Sequence, residues 1–490
     1  MASQVPKRRI EPCNSAPVEP RGEYVLYWMI AARRTGWNFG LERAAEWARE
    51  LGKPLLVLEA LRCGYRWACD RMHHFVIQGM AANARRLERT RAAYYPYVER
   101  RPGEGRGLVE VLARRAAVVV TDEYPCFFLP RMVAAAAERL AVRLEQVDSN
   151  GLIPLRAAAR VYGRAVDFRR FLQQTLSQHL DEFPRRNPLA RAAFPVLGRL
   201  PGAVTRRWPV ADVEALAADP GALAQLPIDH SVPPVLYDGG SEAARKALRR
   251  FLDRRLARYA EARNHLGERA TSELSPYLHF GHLSVHEIFA ALVEREGWDP
   301  GRLLPKATAG KQGWWGMSAP AEAFLDQLLT WRELGWNMCW QRDDYDRYES
   351  LPAWARASLE AHQGDPRRHV YSLAELEAAA THDELWNAAQ RELLRDGRIH
   401  NYLRMLWGKK ILEWTATPHL ASEVMIELNN KYAVDGRDPN SYSGIFWCLG
   451  RYDRAWGPER PIFGKVRYMS SENARRKLDV AAYLAQFGVP

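Results

Sequence analysis

Between Tyr24 and Asp148 the chain alternates between two hydrophobic periods, and that alternation limits the folds open to it. Short apolar runs at Tyr24–Met29, Leu55–Leu58, Ala116–Val120 and Leu144–Asp148 are separated by stretches of helical spacing at Trp37–Leu51, Arg71–Arg89 and Pro130–Leu144. Runs this short and this uniformly apolar suit strands covered on both faces, and strands alternating with helices build a doubly wound parallel sheet. Asn38 is placed to cap the helix after the first strand. Ligands of such sheets gather at the carboxyl ends of the strands, yet no GxGxxG follows Tyr24–Met29. A Rossmann-like shape is expected, without the dinucleotide fingerprint.

The pattern then changes. Residues 151–240 are irregular and Pro-rich, closing at Asp238-Gly239-Gly240, after which Ser241 is placed to cap a basic helix running to about Arg263. Beyond it amphipathic helices run to Leu484, interrupted by Asp299–Pro320, whose Gly, Lys and Pro content around Trp314-Trp315 suggests a flexible surface loop. Residues 1–21, polar and Pro-rich with Lys7-Arg8-Arg9, read as a disordered tail. A chain of 490 residues is too long for one core. The expected layout is a tail over 1–21, an α/β domain over 22–195, an interdomain linker over 196–240 and an all-helical domain over 241–487.

A formal net charge of +12 suits a polyanionic partner, nucleic acid above all, although Arg-rich composition alone can produce it. Six scattered cysteines form no CxxC and no Cys/His cluster, which argues against zinc and iron–sulfur sites and fits a reducing compartment. The first residues lack an apolar signal region, and no apolar run approaches the length of a membrane span. An intracellular protein without metal or membrane is expected. Its seventeen tryptophans need a reason beyond packing.

Three of them point to one. Tyr402–Trp414 reads as a helix, and Trp407 and Trp414, seven apart, lie on nearly one face, roughly 10 Å apart along the axis. Trp386 precedes Trp407 by 21 residues, and Asp435-Gly-Arg-Asp-Pro-Asn440 reads as a tight loop able to hold a polar ligand. A tryptophan ladder beside a polar loop suits a redox or light-absorbing cofactor, but spacing alone favours core aromatics beside an ordinary turn. In Thr271-Ser-Glu-Leu-Ser-Pro-Tyr-Leu-His-Phe-Gly281, hydroxyls precede a helix start, which suits either a phosphate or an ordinary cap.

Taken in order, TSELSPYLHFG, FLDQLLTWREL, IHNYLRMLWGKKILEW, NKYAVDGRDPN and GRYDRAWGPERPIFGKVRYM closely resemble the DNA photolyase/cryptochrome family, class II photolyases of cyclobutane pyrimidine dimers in particular. The resemblance spans roughly residues 24–484 and is densest after 259. It implies an N-terminal α/β antenna domain and a C-terminal helical domain holding FAD, active as FADH⁻. It also implies an antenna pigment, a deazaflavin or a folate, for which residues 24–160 offer no diagnostic site. The implied partner is double-stranded DNA carrying UV lesions, bound by a monomer in the cytoplasm, on the nucleoid if the cell is prokaryotic.

Residue by residue, the resemblance assigns Tyr259, Arg263, Thr271, Ser272, Leu274 and Ser275 to the flavin and its phosphates. Arg404 and Asp435 match an ion pair beside the isoalloxazine, with Gly436 and Asp438 on the same loop, and Asn429 matches the residue facing flavin N5. Trp331 and Trp447 match the walls around a flipped dimer, with Asn401 and Met405 at the same pocket. Trp386, Trp407 and Trp414 match the class II electron-transfer chain. Arg451, Asp453, Arg454, Arg460, Lys465 and Arg467 match the segment that enters the DNA, although here one residue is missing before Asp453 and Pro458 is added. The largest departure is Gln327, where dimer photolyases carry Glu. Gln is typical of (6-4) photolyases, which also use His at the positions of Asn401 and Met405; this chain has neither His. The expected function is light-driven splitting of cyclobutane dimers; a (6-4) photolyase or a cryptochrome-like sensor without repair activity are the alternatives.

Overall fold

The computed structural model describes residues 3–190, 193–268 and 270–488. They form two compact units, one of residues 1–159, 175–249 and 274–300, the other of residues 160–174, 250–273 and 301–490. The division expected from sequence is linear, whereas these units interleave.

The first unit is built on six strands, β1 (Ile10–Pro12), β2 (Tyr24–Met29), β3 (Leu55–Leu61), β4 (Ala93–Val98), β5 (Ala116–Asp122) and β6 (Leu144–Val147). Their order is β1-β6-β5-β2-β3-β4, and every pairing is parallel except that of β1 with β6. All residues of β2 and β5 are buried, as continuous apolar runs require. Helices α1 (Phe39–Glu50), α2 (Asp70–Leu87) and α3 (Leu129–Ala137) follow strands, and the Asn38 side chain accepts from the Leu41 amide as the cap of α1. Strand β4 has no counterpart in the sequence reading. Pro96 interrupts it, and a strand containing proline is tolerated because β4 lies at the sheet edge, where a ladder N–H can be missing.

The expected tail is a structural element instead. Lys7–Arg9 makes a 3₁₀ turn and β1 closes the opposite edge of the sheet. Arg9 is fully buried, 3.8 Å from Asp148, and donates to the carbonyls of Gly151 and Leu152. At the switch point between β2 and β5, Asp122 Oδ2 accepts from the amides of Ile30, Ala31 and Ala32 at 2.9, 2.8 and 2.9 Å. The protein's own carboxylate thus fills the amide nest in which a dinucleotide fold would seat a phosphate. That accounts physically for a Rossmann-like sheet with no glycine fingerprint.

Helix α4 (Gly240–Arg254) is the basic helix, with two corrections. Ser241 is not its cap: the buried hydroxyl has no partner, and the Gly240 amide donates to His282 Nδ1. Regular helix also ends before Arg263, because Arg255 leaves helical geometry (φ −123°) and a short 3₁₀ turn precedes Tyr259–Ala262.

The second unit is helical. Its site-bearing elements are α5 (Ala319–Leu325), a π turn (Asp326–Trp331), α6 (Arg332–Gln341), α7 (Glu384–Asp396), α8 (Asn401–Trp414), α9 (Pro418–Tyr432) and α10 (Pro439–Trp447). The expected flexible loop before α5 is anchored here. Glu322, buried, accepts from the amides of Gly313 and Met317, Gln173 brackets Ala309 and Gly310, and Trp314 is buried.

Candidate active site

Helix α8 divides along its length. Asn401, Tyr402, Arg404 and Met405 in its first turns reach solvent, whereas every residue from Leu406 to Trp414 except Glu413 is buried. Two partner helices approach it closely. A Cβ on Gly408 would lie 2.5 Å from Cys448 Sγ, just past α10, and 3.1 Å from Met425 Sδ on α9. Only glycine permits that contact, so the residue that looks like a weak point in the helical pattern is the packing point of three helices. Arg404 Nη2 lies 3.4 Å from Asp435 Oδ1, bringing together the pair that the resemblance assigns beside a flavin.

The loop bearing Asp435 is held from α9. Asn430 Oδ1 accepts from the Arg437 amide at 2.9 Å, Val434 donates to the Gly397 carbonyl, and a Cβ on Gly436 would meet Asn429 O at 2.8 Å. Asn429 is buried with Nδ2 donating to Ser441 Oγ at 2.7 Å and to Asn430 Oδ1 at 3.2 Å, so its carbonyl oxygen is not used in those bonds. Asp438 caps α10, accepting from the Asn440 amide.

Gln327 and Trp331 sit on the π turn, which sequence reasoning misses because FLDQLLTW reads as ordinary helix. Between Ala321 and Cys339 only Ala323, Gln327 and Trp331 escape full burial. An α turn carries residues four apart slightly past a full rotation, and the wider π turn carries them slightly short of one. The drifts cancel and the three side chains stay in one row. Asp326 in the same turn is locked by a buried ion pair with Arg169 at 2.7 Å. Directly after Trp331, α6 packs against α10 at Gly335, whose Cβ would lie 2.7 Å from Pro439 O. Trp447, half-buried, ends α10.

The three indoles form one contact chain. Trp386 stacks on Trp407 with centroids 6.5 Å apart and planes within 1°, and meets Trp414 edge-on at 5.6 Å. All three are buried, at 0, 2 and 2% exposure for Trp386, Trp407 and Trp414. Trp386 is therefore the middle member, although it comes first in sequence. Its Nε1 donates to the Trp407 carbonyl, and Trp407 Nε1 donates to Gln390 Oε1 at 2.9 Å, a buried contact with no sequence signature.

Of the remaining flavin candidates, Tyr259 is buried against Phe251 and Phe324 with the Arg263 guanidinium 5.7 Å from its ring centre. Thr271 and Ser272 are half-buried, the Thr271 carbonyl accepting from Arg255. Glu273, which sequence reasoning overlooks, fixes this segment by pairing with Arg255 at 2.9 Å and Arg398 at 3.3 Å. Leu274 and Ser275 fall in the first unit, Leu274 buried and Ser275 exposed.

The segment after α10 does not behave uniformly as a DNA-binding strip. Arg451 is a correction: it is 1% exposed, donates to Tyr345 O and Ser350 Oγ, and lies over Phe446, so its charge serves the interior. Asp453 pairs with Arg467 at 3.0 Å and accepts from Trp456 Nε1. Arg467 and Arg454 flank Trp456, which sequence reasoning did not single out. Arg454, Arg460 and Lys465 are exposed.

The residues around the open end of α8 offer polar groups of a kind that suits a large polar, planar group. The His400 imidazole, beside Asn401, is largely buried with neither ring nitrogen hydrogen-bonded; the nearby Arg263 carbonyl makes no bond of normal geometry. Burial pushes its pKa down to about 4, keeping it neutral. Arg404, Asp435 and Asn429 add charged and amide groups of the kind that hold a flavin ring. Among the described residues no His, Cys, Asp or Glu cluster could hold a metal, and no helix is long and apolar enough to cross a membrane.

No family model matches the chain. Curated relatives do. It is 34% identical over 483 residues to the deoxyribodipyrimidine photo-lyase of Methanothermobacter thermautotrophicus, covering 97% of each chain. The rice (Oryza sativa subsp. japonica) enzyme of the same name is 35% identical over 98% of this chain and 89% of its own, and that of Potorous tridactylus 30% over 95% and 81%. Among solved structures, a class III photolyase from Agrobacterium tumefaciens superposes with a TM-score of 0.64 over 95% of this chain and 86% of its own; at 16% identity that likeness speaks for the fold alone. With identities above 30% across nearly the whole length, the chain belongs to the deoxyribodipyrimidine photo-lyase family.

Proposed function

We propose that this chain is a light-driven DNA repair enzyme that splits cyclobutane pyrimidine dimers, in the manner of class II photolyases. The observation that carries the reading is the division of α8: one rigid helix bears Asn401, Arg404 and Met405 at its open end and Trp407 and Trp414 in its sealed part. In this reading, residues of the lesion pocket and two members of the electron relay share a single helix, to which α7 adds Trp386.

In this reading Tyr259, Arg263, Thr271, Ser272, Arg404, Asn429 and Asp435 hold reduced FAD. Bound there, it supplies the light absorption and the electron that opens the cyclobutane ring, and recovers the electron afterwards, so no net redox change results. The protein's own residues do the rest. Trp331 and Trp447 offer flat apolar walls to an extruded pyrimidine pair, and Met405 a soft contact beside them. Gln327 aims an amide donor from the row on the π turn toward a pyrimidine carbonyl, where negative charge develops. Arg454, Arg460 and Lys465 are exposed to meet phosphates, while the Asp453–Arg467–Trp456 group forms a built wedge. Trp407, Trp386 and Trp414 relay electrons inward when the flavin must be reduced.

The (6-4) lesion is a second reading, favoured by Gln327 alone. The decisive experiment illuminates reduced protein with oligonucleotides carrying each lesion and assays restored pyrimidines. Restoration of cyclobutane dimers is expected. Repair confined to the (6-4) lesion would transfer the assignment to that substrate, and restoration of neither would leave a sensor.

A further inference from the structure

Lys409 is fully buried, and nothing in the proposed repair chemistry uses it. It follows Gly408, which packs against Cys448, and its Nζ donates to the Cys448 carbonyl at 2.6 Å. Cys448 is the C-cap that directly follows α10, so the ammonium meets the negative pole of that helix. The same nitrogen lies 5.3 Å from the centre of the Trp447 ring, within cation–π range. The Arg467 guanidinium lies 5.4 Å from the same centre and is itself pinned by Asp453. Trp447 thus carries two cations, one of them sealed in the protein.

We propose that Lys409 is the positioning residue for Trp447: its ammonium clamps the carboxyl end of α10 and holds the indole in the orientation that stacking on an extruded pyrimidine pair requires. The proposal rests on the reading of Trp447 as a lesion-stacking wall. A neutral amine could still donate to Cys448, but it would lose both the attraction to the helix end and the attraction to the ring. The charged and titratable groups around Lys409 are Cys448, Asp453 and Arg467, while Lys410 turns away to pair with Glu413 at 2.9 Å. Burial dominates, pushing the Lys409 pKa down to about 8 and the Cys448 thiol up to about 11. Lesion recognition should therefore weaken as pH rises through the Lys409 pKa, before Cys448 ionises.

The test measures, in the dark and on flavin-loaded protein, affinity for a duplex carrying one cyclobutane dimer and for the same duplex undamaged, between about pH 6.5 and 9.5. In the wild type the ratio of the two affinities should fall roughly tenfold through about pH 8, with binding to undamaged DNA far less affected. Lys409→Met should give the low ratio at every pH while retaining flavin and its photoreduction. Lys409→Arg, which never deprotonates in this range, should keep a high ratio at high pH. A wild-type ratio that stays flat across the range overturns the proposal, as does a folded Lys409→Met protein with the wild-type ratio. If Lys409→Met fails to hold flavin, the wild-type profile decides. Trp447→Ala separates the two readings: should it keep full lesion preference, the stacking role of Trp447 fails first.

Discussion

The two groups of aromatic residues in the helical unit are built on opposite principles. Trp386, Trp407 and Trp414 are sealed and in ring-to-ring contact, and the indole N–H groups of Trp386 and Trp407 donate to the Trp407 carbonyl and Gln390. Trp331 and Trp447 are half-exposed and end structural elements, one a π turn and the other α10. A relay works through fixed separations in a dry medium, so its rings belong in the core. A stacking wall must lose water to its ligand, so its rings must begin wet. The contrast teaches that residue type and spacing mark both groups equally, and that burial is what tells them apart.

The sharpest way to break this comparison is to cut the relay in the middle. Trp386 touches both Trp407 and Trp414, and no contact between those two competes with it among the described ring pairs. Trp386→Phe should abolish photoreduction of oxidised flavin, while chemically reduced protein repairs at close to the wild-type yield. Transient absorption and a repair assay on the same sample check both halves. Persistent photoreduction would show that electrons enter by another route.

The wall should respond in the opposite way. Trp447→Ala or Trp331→Ala should each cost about 1–3 kcal/mol of lesion affinity, the usual worth of base–aromatic stacking, with photoreduction intact. Binding to undamaged duplex should barely change, and the salt dependence should keep its slope for both duplexes, because stacking adds no phosphate contacts. Titration of lesion-containing and undamaged duplex at several salt concentrations checks this. A variant that loses both DNAs equally would place the residue in general phosphate binding or in the fold.

What the sequence revealed of these regions follows from range. The buried strands β2, β3, β5 and β6 and the Asn38 cap were legible because their signals are local: apolar runs and a residue one place before a helix. Strand β4 was hidden by Pro96, which only an edge position excuses, and β1 by its polar composition. The indole contacts themselves were beyond reach, since a spacing of 21 residues says nothing until α7 and α8 pack together. Arg451 shows the opposite error. The resemblance assigns Arg451 to the segment that enters the DNA, and only the fold reveals that Tyr345, Ser350 and Phe446 enclose it. The resemblance names Gln327 and Trp331 but gives no sign of the π turn that keeps them in one row.

Gln327 gives the smallest expected effect and the finest test of the wall. Its position in the row Ala323–Gln327–Trp331 leaves the amide partly open, next to one aromatic wall, in a turn that the Arg169–Asp326 pair holds rigid. An amide N–H can donate to a pyrimidine carbonyl as negative charge builds there, but it has no acidic proton to share. A protonated carboxyl in the same place donates more strongly, and a preorganised donor aimed at developing charge is among the larger electrostatic contributions in catalysis. Gln327→Glu should therefore raise the yield of dimer splitting per absorbed photon, by an amount worth about 1 kcal/mol or less, and more at acid than at alkaline pH because only the protonated carboxyl donates. Gln327→Leu should lower the yield by leaving the carbonyl unpaired, with lesion affinity changed less than in the tryptophan variants. Quantum-yield measurements on reduced protein across pH check all three. Should Gln327→Glu reduce splitting of cyclobutane dimers at every pH, the amide is matched to a different lesion, and the wall formed by Trp331 and Trp447 must be read for that lesion instead.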